Sequence, residues 1–440
     1  MALRRTRDVR TPVCIRVDGK EVVADEGEPL TLAIQASGRD VLARSVKYHR
    51  PRGPACYAGR CDGCLMRVDG VPNVMTCRVP ATDGMVVETQ NVLGSAEADL
   101  LAVTDWFFPK GMDHHHMFTA FGPLNRVMQK IARRIAGIGR LPEAVASAVA
   151  PTDLRADVVV VGGGVAGLTV AREVAATGAC VRLFEEEQSL GGVRGLEARA
   201  YAESETESES AQRFDADVGA TLEDEAEEAG AIIHRRTPVV AILDGVVVAH
   251  AEQGLIRVET GAIVLATGTH EGAVPVEGSD LPGVVGWRAA LSLLACGAVP
   301  GERVVLLHDD DHATSSLAAR YVAAGVEVVH RGSPAGLRRV EGGHAAERVV
   351  VEDERGERTV PCDAVVLAAK PSGAFELGGQ SGADVAWRDD GFWIVADPKN
   401  GATRTPGVWA VGAATGVVDP EAIESQAEAC ARAVEAHRVG

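Results

Sequence analysis
The chain has 440 residues and a formal net charge of −18, with 46% hydrophobic residues and only 4% aromatics. That length allows two or three domains, each with its own core, and the acidity argues against nucleic acid or an anionic membrane as a partner. No apolar run is long enough to span a bilayer and no secretory signal follows the basic start, so a cytoplasmic protein is expected.

Residues 12–25 alternate apolar and polar side chains around Asp18 and Gly19, the pattern of two short strands and a tight turn. Leu30, Leu32 and Ile34 predict a helix over 29–37, stopped by Gly38. A basic loop containing Lys47, His49 and Arg52 then runs into Cys56, Cys61 and Cys64, with a fourth cysteine at Cys77. The spacing C-x4-C-x2-C followed by one distant cysteine is that of a plant-type 2Fe–2S cluster. Two irons need four thiolates, and three on one tight loop converge only where the backbone turns sharply. Gly59 and Gly63 permit such turns and leave amides free to point at sulfur. A zinc site more often pairs C-x2-C with a second such pair or with histidines; four packed thiols at this spacing by chance are the bland alternative. Cys14, Cys180, Cys296, Cys362 and Cys430 are isolated and read as packed thiols, and the whole set suits a reducing compartment. Strands at 65–68, 75–78 and 86–90, with a turn at Asp69 and Gly70, complete a β-grasp ferredoxin-like domain over residues 1–94.

Residues 95–154 read as a helical linker, with helices at 100–108 and 124–138 and an Ala- and Pro-rich connector at 142–153. Between the helices stand His114, His115 and His116. Consecutive side chains do not converge on one ion, so a solvated loop, or a loop facing a partner or a flavin edge, is expected.

A second motif begins at Asp157. A strand over 157–161 leads into Gly162, Gly164 and Gly167 and a helix through 176; a second strand, 180–184, ends at Glu185. This is G-x-G-x-x-G in its required strand–turn–helix context. Gly162 serves the tight turn, Gly164 the approach of a pyrophosphate and Gly167 close packing, while Glu185 would accept from adenosine ribose hydroxyls. Gly192 follows as part of a flavoprotein-like glycine pair. The acidic run at 203–210 reads as a solvated loop. Strands at 262–265, leading to Thr267 and Gly268, and at 408–411, leading to Gly412, complete the nucleotide domain, and an amphipathic helix over 421–439 closes the chain. Between them, a strand at 303–307, a helix at 315–324 and a strand at 326–330 form a second βαβ unit. Its turn offers Asp309, Asp310 and Asp311 instead of glycines, so a degenerate site that no longer binds NAD(P)H in the usual way is expected. The expected architecture is α/β: a β-grasp 2Fe–2S ferredoxin-like domain, then a two-dinucleotide-binding, Rossmann-like flavoprotein-type domain. Its parts are 1–94, the linker 95–154, a nucleotide domain at 155–285 and 385–440, and the degenerate domain at 286–384.

The ordered set resembles the α subunit of heterotetrameric sarcosine oxidase. The resemblance rests on the stretch 45–53, the run from Ala266 to Glu271, Leu281 to Val284, Pro300 to Val304, the Asp309–Asp311 turn, Leu377 to Gly382 and Gly412 to Ala414. Related assemblies include amino-acid, proline and opine dehydrogenases and hydrogen cyanide synthase. The four cluster cysteines are similar to the cyanide synthase and opine dehydrogenase group, not to sarcosine oxidase α, and the aminomethyltransferase-like half of the latter is expected to be absent here. The resemblance implies a hetero-oligomer in which an amino-acid-oxidase-like flavoprotein partner oxidises the carbon beside a substrate nitrogen. This chain would then pass electrons from flavin through the 2Fe–2S cluster to an acceptor. Ala413 stands where flavoproteins of this type place an Asp against the flavin ribityl chain. FAD is the first expectation for the Gly162–Gly167 site, with structural NAD or ATP as the alternative. Lys47, His49 and Arg52 would meet a flavin phosphate, such as an FMN at the partner interface, or the partner itself; a purely structural basic loop is the other reading. No catalytic group is identified in the chain. The rival functions are a stand-alone NAD(P)H-dependent reductase and a non-catalytic scaffold with a structural nucleotide.

Overall fold
The computed structural model describes residues 3–46, 48–103, 149–202, 218–353, 356–388 and 391–439. Lys47, the three histidines at 114–116, the acidic run at 203–210, the helix expected at 124–138 and most of that at 100–108 lie outside them. The chain divides into two units, Met1–Val145 with Val274–Ala369, and Ala146–Ala273 with Lys370–Gly440.

In the first unit a five-stranded sheet runs in the order Lys20–Asp25, Pro12–Val17, Val86–Glu88, Leu65–Val68, Val71–Met75. Pro12–Val17 and Val86–Glu88 are parallel and the other neighbours antiparallel. The first hairpin turns at Asp18 and Gly19, both with positive φ (46° and 80°). Two left-handed residues match the twist of the flanking strands. Helix Leu30–Ala36 lays Leu30, Ala33 and Ile34 against Ile15, Met66 and Val87, and Cys64 and Cys77 share that core.

One expected strand is different. Val71–Met75 is a strand, but Thr76–Arg78 is a 3-10 turn. Buried Thr76 decides it: its amide and its Oγ1 both donate to the Cys64 carbonyl, at 3.2 and 2.9 Å. Its Oγ1 also lies 2.7 Å from Thr31 Oγ1. The amide bond extends the Leu65–Met75 register by one pair and sets Cys77 beside Cys64; past it the Val79 amide donates to the Thr76 carbonyl (3.4 Å), which closes the turn.

Residues 274–369 add a parallel sheet, Val284–Gly286, Ala364–Leu367, Arg303–Leu307, Glu327–Gly332, with helices Trp287–Ala295 and Asp311–Ala323. A three-stranded antiparallel sheet, Leu337–Glu341, Arg348–Asp353, Gly356–Pro361, follows. The ferredoxin-like region belongs to the same unit. Strand Arg4–Arg5 pairs antiparallel with Ala298–Val299, the Thr6 amide donates to the Gly297 carbonyl (2.8 Å), and Arg4 reaches the Ala324 carbonyl. The Gly286 amide donates to the Ala55 carbonyl (2.8 Å), and Arg52 pairs with Asp280.

The second unit is built on parallel strands Ile232–His234, Val181–Phe184, Thr152–Val161, Gly254–Leu265 and Val408–Ala410. The early half of Gly254–Leu265 also pairs antiparallel with Val246–Ala251, which pairs in turn with Val239–Leu243. Along the first strand Val158 and Val160 enter one core and Val159 and Val161 the other, because successive side chains leave opposite faces. Helices Val165–Ala175 and Pro420–Val439 cover the first of these faces through Leu168, Val174, Cys430 and Val434. Residues 274–285 fall with the first unit, since Val284–Gly286 bonds to Ala364–Leu367; residues 370–384 fall with the second, since Ser372–Gly373 pairs with Thr269–His270. Among the described residues no helix is long and apolar enough to cross a membrane.

Candidate cofactor sites
The cysteine loop is shaped by its backbone. Tyr57 and Gly59 both have positive φ (50° and 68°). The turn aims amides inward: Ala58 N and Arg60 N lie 3.4 and 3.2 Å from Cys56 Sγ, and Gly59 N lies 3.3 Å from Cys77 Sγ. Gly63 is required by a close approach, because a Cβ there would overlap the Gly53 carbonyl. Cys64 and Cys77 are buried and Cys56 and Cys61 partly exposed.

The four sulfurs converge. Cys56 and Cys61 are 3.4 Å apart, and Cys77 hydrogen-bonds with both Cys56 and Cys64. Hydrogen bonding with Cys61 and with Cys77 pulls the Cys56 thiol down, and that with Cys77 pulls Cys64 down. Hydrogen bonding with Cys56, with burial, pushes Cys61 well above the ordinary thiol range, and hydrogen bonding with Cys56 and Cys64 does the same for Cys77. Four thiolates in this space repel one another, and only bound cations would let all four lose their protons together. Among the described residues no three His, Cys, Asp or Glu side chains are arranged around one metal ion. Four converging thiols that receive amide hydrogen bonds fit a two-iron cluster, which needs four thiolates.

The basic loop before the cysteines is drawn into the fold. His49 is buried with φ 54°, and its Nδ1 lies 2.7 Å from buried Asp99 Oδ2. Arg44 donates to the carbonyls of His49 (2.8 Å), Ala96 (2.7 Å) and Glu97 (3.1 Å). Burial lowers the Arg44 guanidinium from its ordinary value, opposed by Asp99 and Glu97. His49 is therefore enclosed and Arg52 engaged with Asp280, which leaves any contact of this loop with a phosphate or a partner as a proposal.

In the second unit Gly162 (φ 105°) turns the chain where a Cβ would overlap the Ala266 carbonyl, and Gly164 caps helix Val165–Ala175. A Cβ on Gly164 would meet nothing nearer than Gly192 Cα at 4.0 Å. That space is a cradle a side chain would fill, open to the helix N-terminus as a diphosphate requires. Gly164 and Gly191 form a bridge, so helix Gly192–Tyr201 starts alongside. Glu185 Oε2 accepts from Gly163 N (2.6 Å) and Oε1 from Glu187 N (2.8 Å), and burial pushes its carboxyl up. The expected ribose acceptor thus also braces the glycine turn, a bond no spacing rule reveals. Thr267 Oγ1 donates to the Ala374 carbonyl (2.7 Å), Gly268 has φ 69°, and the Gly412 amide donates to Gln426 Oε1 (2.8 Å). Gln426, buried on the closing helix, was missed in the sequence because nothing marks it among its neighbours.

The degenerate turn closes on itself. Asp310 caps helix Asp311–Ala323, accepting from His312 N (2.8 Å) and Ala313 N (3.2 Å), and Ser333 Oγ donates to Asp309 Oδ1 (2.5 Å). The amides that would greet a pyrophosphate already hold a carboxylate.

Comparison with known proteins adds the lineage. Residues 10–92 match a 2Fe-2S iron-sulfur cluster binding domain, and 156–290 match a pyridine nucleotide-disulphide oxidoreductase domain. The alpha subunit of a sarcosine oxidase from Rhizobium meliloti (strain 1021) is 26% identical over 86% of this chain and 42% of its own length. An opine oxidase subunit from Agrobacterium tumefaciens (strain Ach5) is 27% identical over 61% of this chain and 63% of its own. This chain is similar to these oxidase subunits. It spans less than two thirds of their length. An L-proline dehydrogenase from P. horikoshii shares the fold, with a TM-score of 0.71 and 22% identity over 99% of this chain and 75% of that one. The expected architecture, an iron–sulfur domain followed by a dinucleotide-binding domain, is borne out.

Proposed function
We propose that this chain is the electron-transfer and dinucleotide-binding subunit of a multi-subunit, flavin-dependent amine or amino-acid dehydrogenase or oxidase. The observation that carries the reading is the convergence of four thiols under inward-pointing amides, in a chain whose Gly162–Gly167 turn leaves an open space at a helix N-terminus. Cys56, Cys61, Cys64 and Cys77 would hold the two irons; Ala58 N, Gly59 N and Arg60 N would stabilise negative charge on the sulfurs. When bound, a cluster exchanges single electrons and a flavin pairs of them, which together connect a two-electron amine oxidation to a one-electron acceptor. Gly162, Gly164, Gly167 and Gly192 would seat a diphosphate, Glu185 would orient the ribose, and Thr267, Gly268 and Gly412 would border the rest of the nucleotide. FAD is the first assignment for that cradle, with NAD or ATP as the alternative. Lys47 and Arg52 would serve a flavin phosphate, such as FMN, or an amino-acid-oxidase-like partner.

The relatives' names support an amine-type substrate and a hetero-oligomer. The test is purification with native partners, followed by metal, sulfide and released-nucleotide analysis and a screen of amine substrates for reduction of the bound cofactors. A complex with neither iron nor substrate reduction would overturn the reading. The stand-alone NAD(P)H reductase needs a second nucleotide site, and the self-capped Asp310 turn speaks against one. Rapid bleaching of the isolated chain by NADH would restore it.

A further inference from the structure
Tyr57 follows the first cysteine of the loop and occupies a left-handed conformation (φ 50°) that residues other than glycine seldom adopt. Such a conformation persists only where its surroundings enforce it. Its side chain leaves the cysteine loop, and its hydroxyl donates to Gln35 Oε1 on helix Leu30–Ala36. The ring packs on the cluster formed by Leu3, Leu32, Leu293 and Ala298, so three segments of the first unit meet on it. It also lines a small cavity with Gln35, Val285 and Asp363. The next residues, Ala58, Gly59 and Arg60, supply the three amides aimed at Cys56 and Cys77.

We propose that Tyr57 is a positioning residue that anchors the cysteine loop through Gln35 and thereby sets the amide-to-sulfur hydrogen bonds that tune the cluster's reduction potential. The proposal rests on the reading of Cys56, Cys61, Cys64 and Cys77 as ligands. Reduction adds one negative charge to the thiolate-bound centre, and amide donors to sulfur favour the reduced form. Releasing the anchor lets the loop relax and lengthens those bonds, so the potential falls. Tyr57→Phe removes the hydroxyl and keeps the ring; Gln35→Leu removes the acceptor from the other side.

The experiment is a reductive titration of the full chain, followed by visible absorption and electron paramagnetic resonance, with iron and acid-labile sulfide assayed in each sample. Both single variants are expected to retain the wild-type metal content and to shift to lower potential. The shift should be roughly a tenfold rise in the oxidised-to-reduced ratio at a fixed potential, the factor one weakened hydrogen bond to a charged sulfur carries. The double variant should shift no further than either single one, because both remove the same bond. Unchanged potentials in fully loaded variants, or shifts that add in the double variant, would overturn the proposal. A wild-type chain without iron and sulfide would defeat the ligand assignment instead, so the two failures are told apart.

Discussion

At Gly162 and Gly164 one residue type answers two constraints. Gly162 needs its left-handed backbone and the absence of a Cβ, so Gly162→Ala should destabilise the protein by upwards of about 2 kcal/mol. Gly164 is extended and faces open space. Gly164→Val should therefore cost no more than about 1 kcal/mol as a poorer helix cap, yet eliminate the nucleotide. Chemical denaturation beside analysis of the released ligand separates the two effects; equal loss of stability in both variants would contradict the assignment. The cysteines divide as sharply. Cys362 and Cys430 are pushed up to about 12 by burial and remain unreactive thiols at pH 8, whereas Cys14 and Cys180 are exposed. Timed alkylation with peptide mass analysis should label Cys14 and Cys180 in the native chain and the other two only after unfolding.

Among the elements, helix Asp311–Ala323 carries its own anion. It follows strand Arg303–Leu307 and a short turn, and the Asp310 carboxylate caps its N-terminus. Hydrogen bonding from the Ala313 amide holds that carboxyl below its ordinary value of 3.8. A carboxyl depressed on folding contributes stability that is complete above the unfolded value and is lost as pH falls through the lower folded one. Asp310→Ala should thus cost about 1 kcal/mol at pH 7, and the difference from wild type should shrink toward acid. Thermal unfolding at several pH values measures it; a constant difference would mean that the ionised cap is not what the substitution removes. This element was legible in advance, since three consecutive aspartates stand where glycines would be. The 3-10 turn at Thr76–Arg78 was not, because it starts where the Thr76 side chain is held by Cys64 and Thr31, residues remote in the chain.

For the molecule as a whole, the iron–sulfur domain is part of a larger unit and not a freely swinging attachment. Strand Arg4–Arg5 completes a pair with Ala298–Val299, and Leu3 and Leu32 share a core with Leu293 and Ala298. Burial of such a side chain contributes about 1.5–3 kcal/mol. A fragment limited to residues 1–94 should therefore melt below the same region in the full chain and release its cluster sooner. Differential scanning calorimetry and the decay of visible absorption test this; equal melting and retention would show that the shared core contributes nothing.

The four cysteines, the glycine turn and the aspartate turn were all readable from the chain, because ligand spacing and backbone conformation are local demands that leave their residues side by side. From the chain alone came the expectation of a 2Fe–2S domain before a dinucleotide-binding domain, which the matches bear out, and the expectation of one open and one closed nucleotide turn. Packing in the folded chain makes Glu185 brace the turn it follows, gives the Gly412 amide to Gln426, and ties the cysteine loop to Gln35 through Tyr57. It also decided that residues 274–369 join the ferredoxin-like region. Those pairings link residues far apart along the chain, and a side chain's partner across such a distance is fixed by packing, which no local pattern encodes.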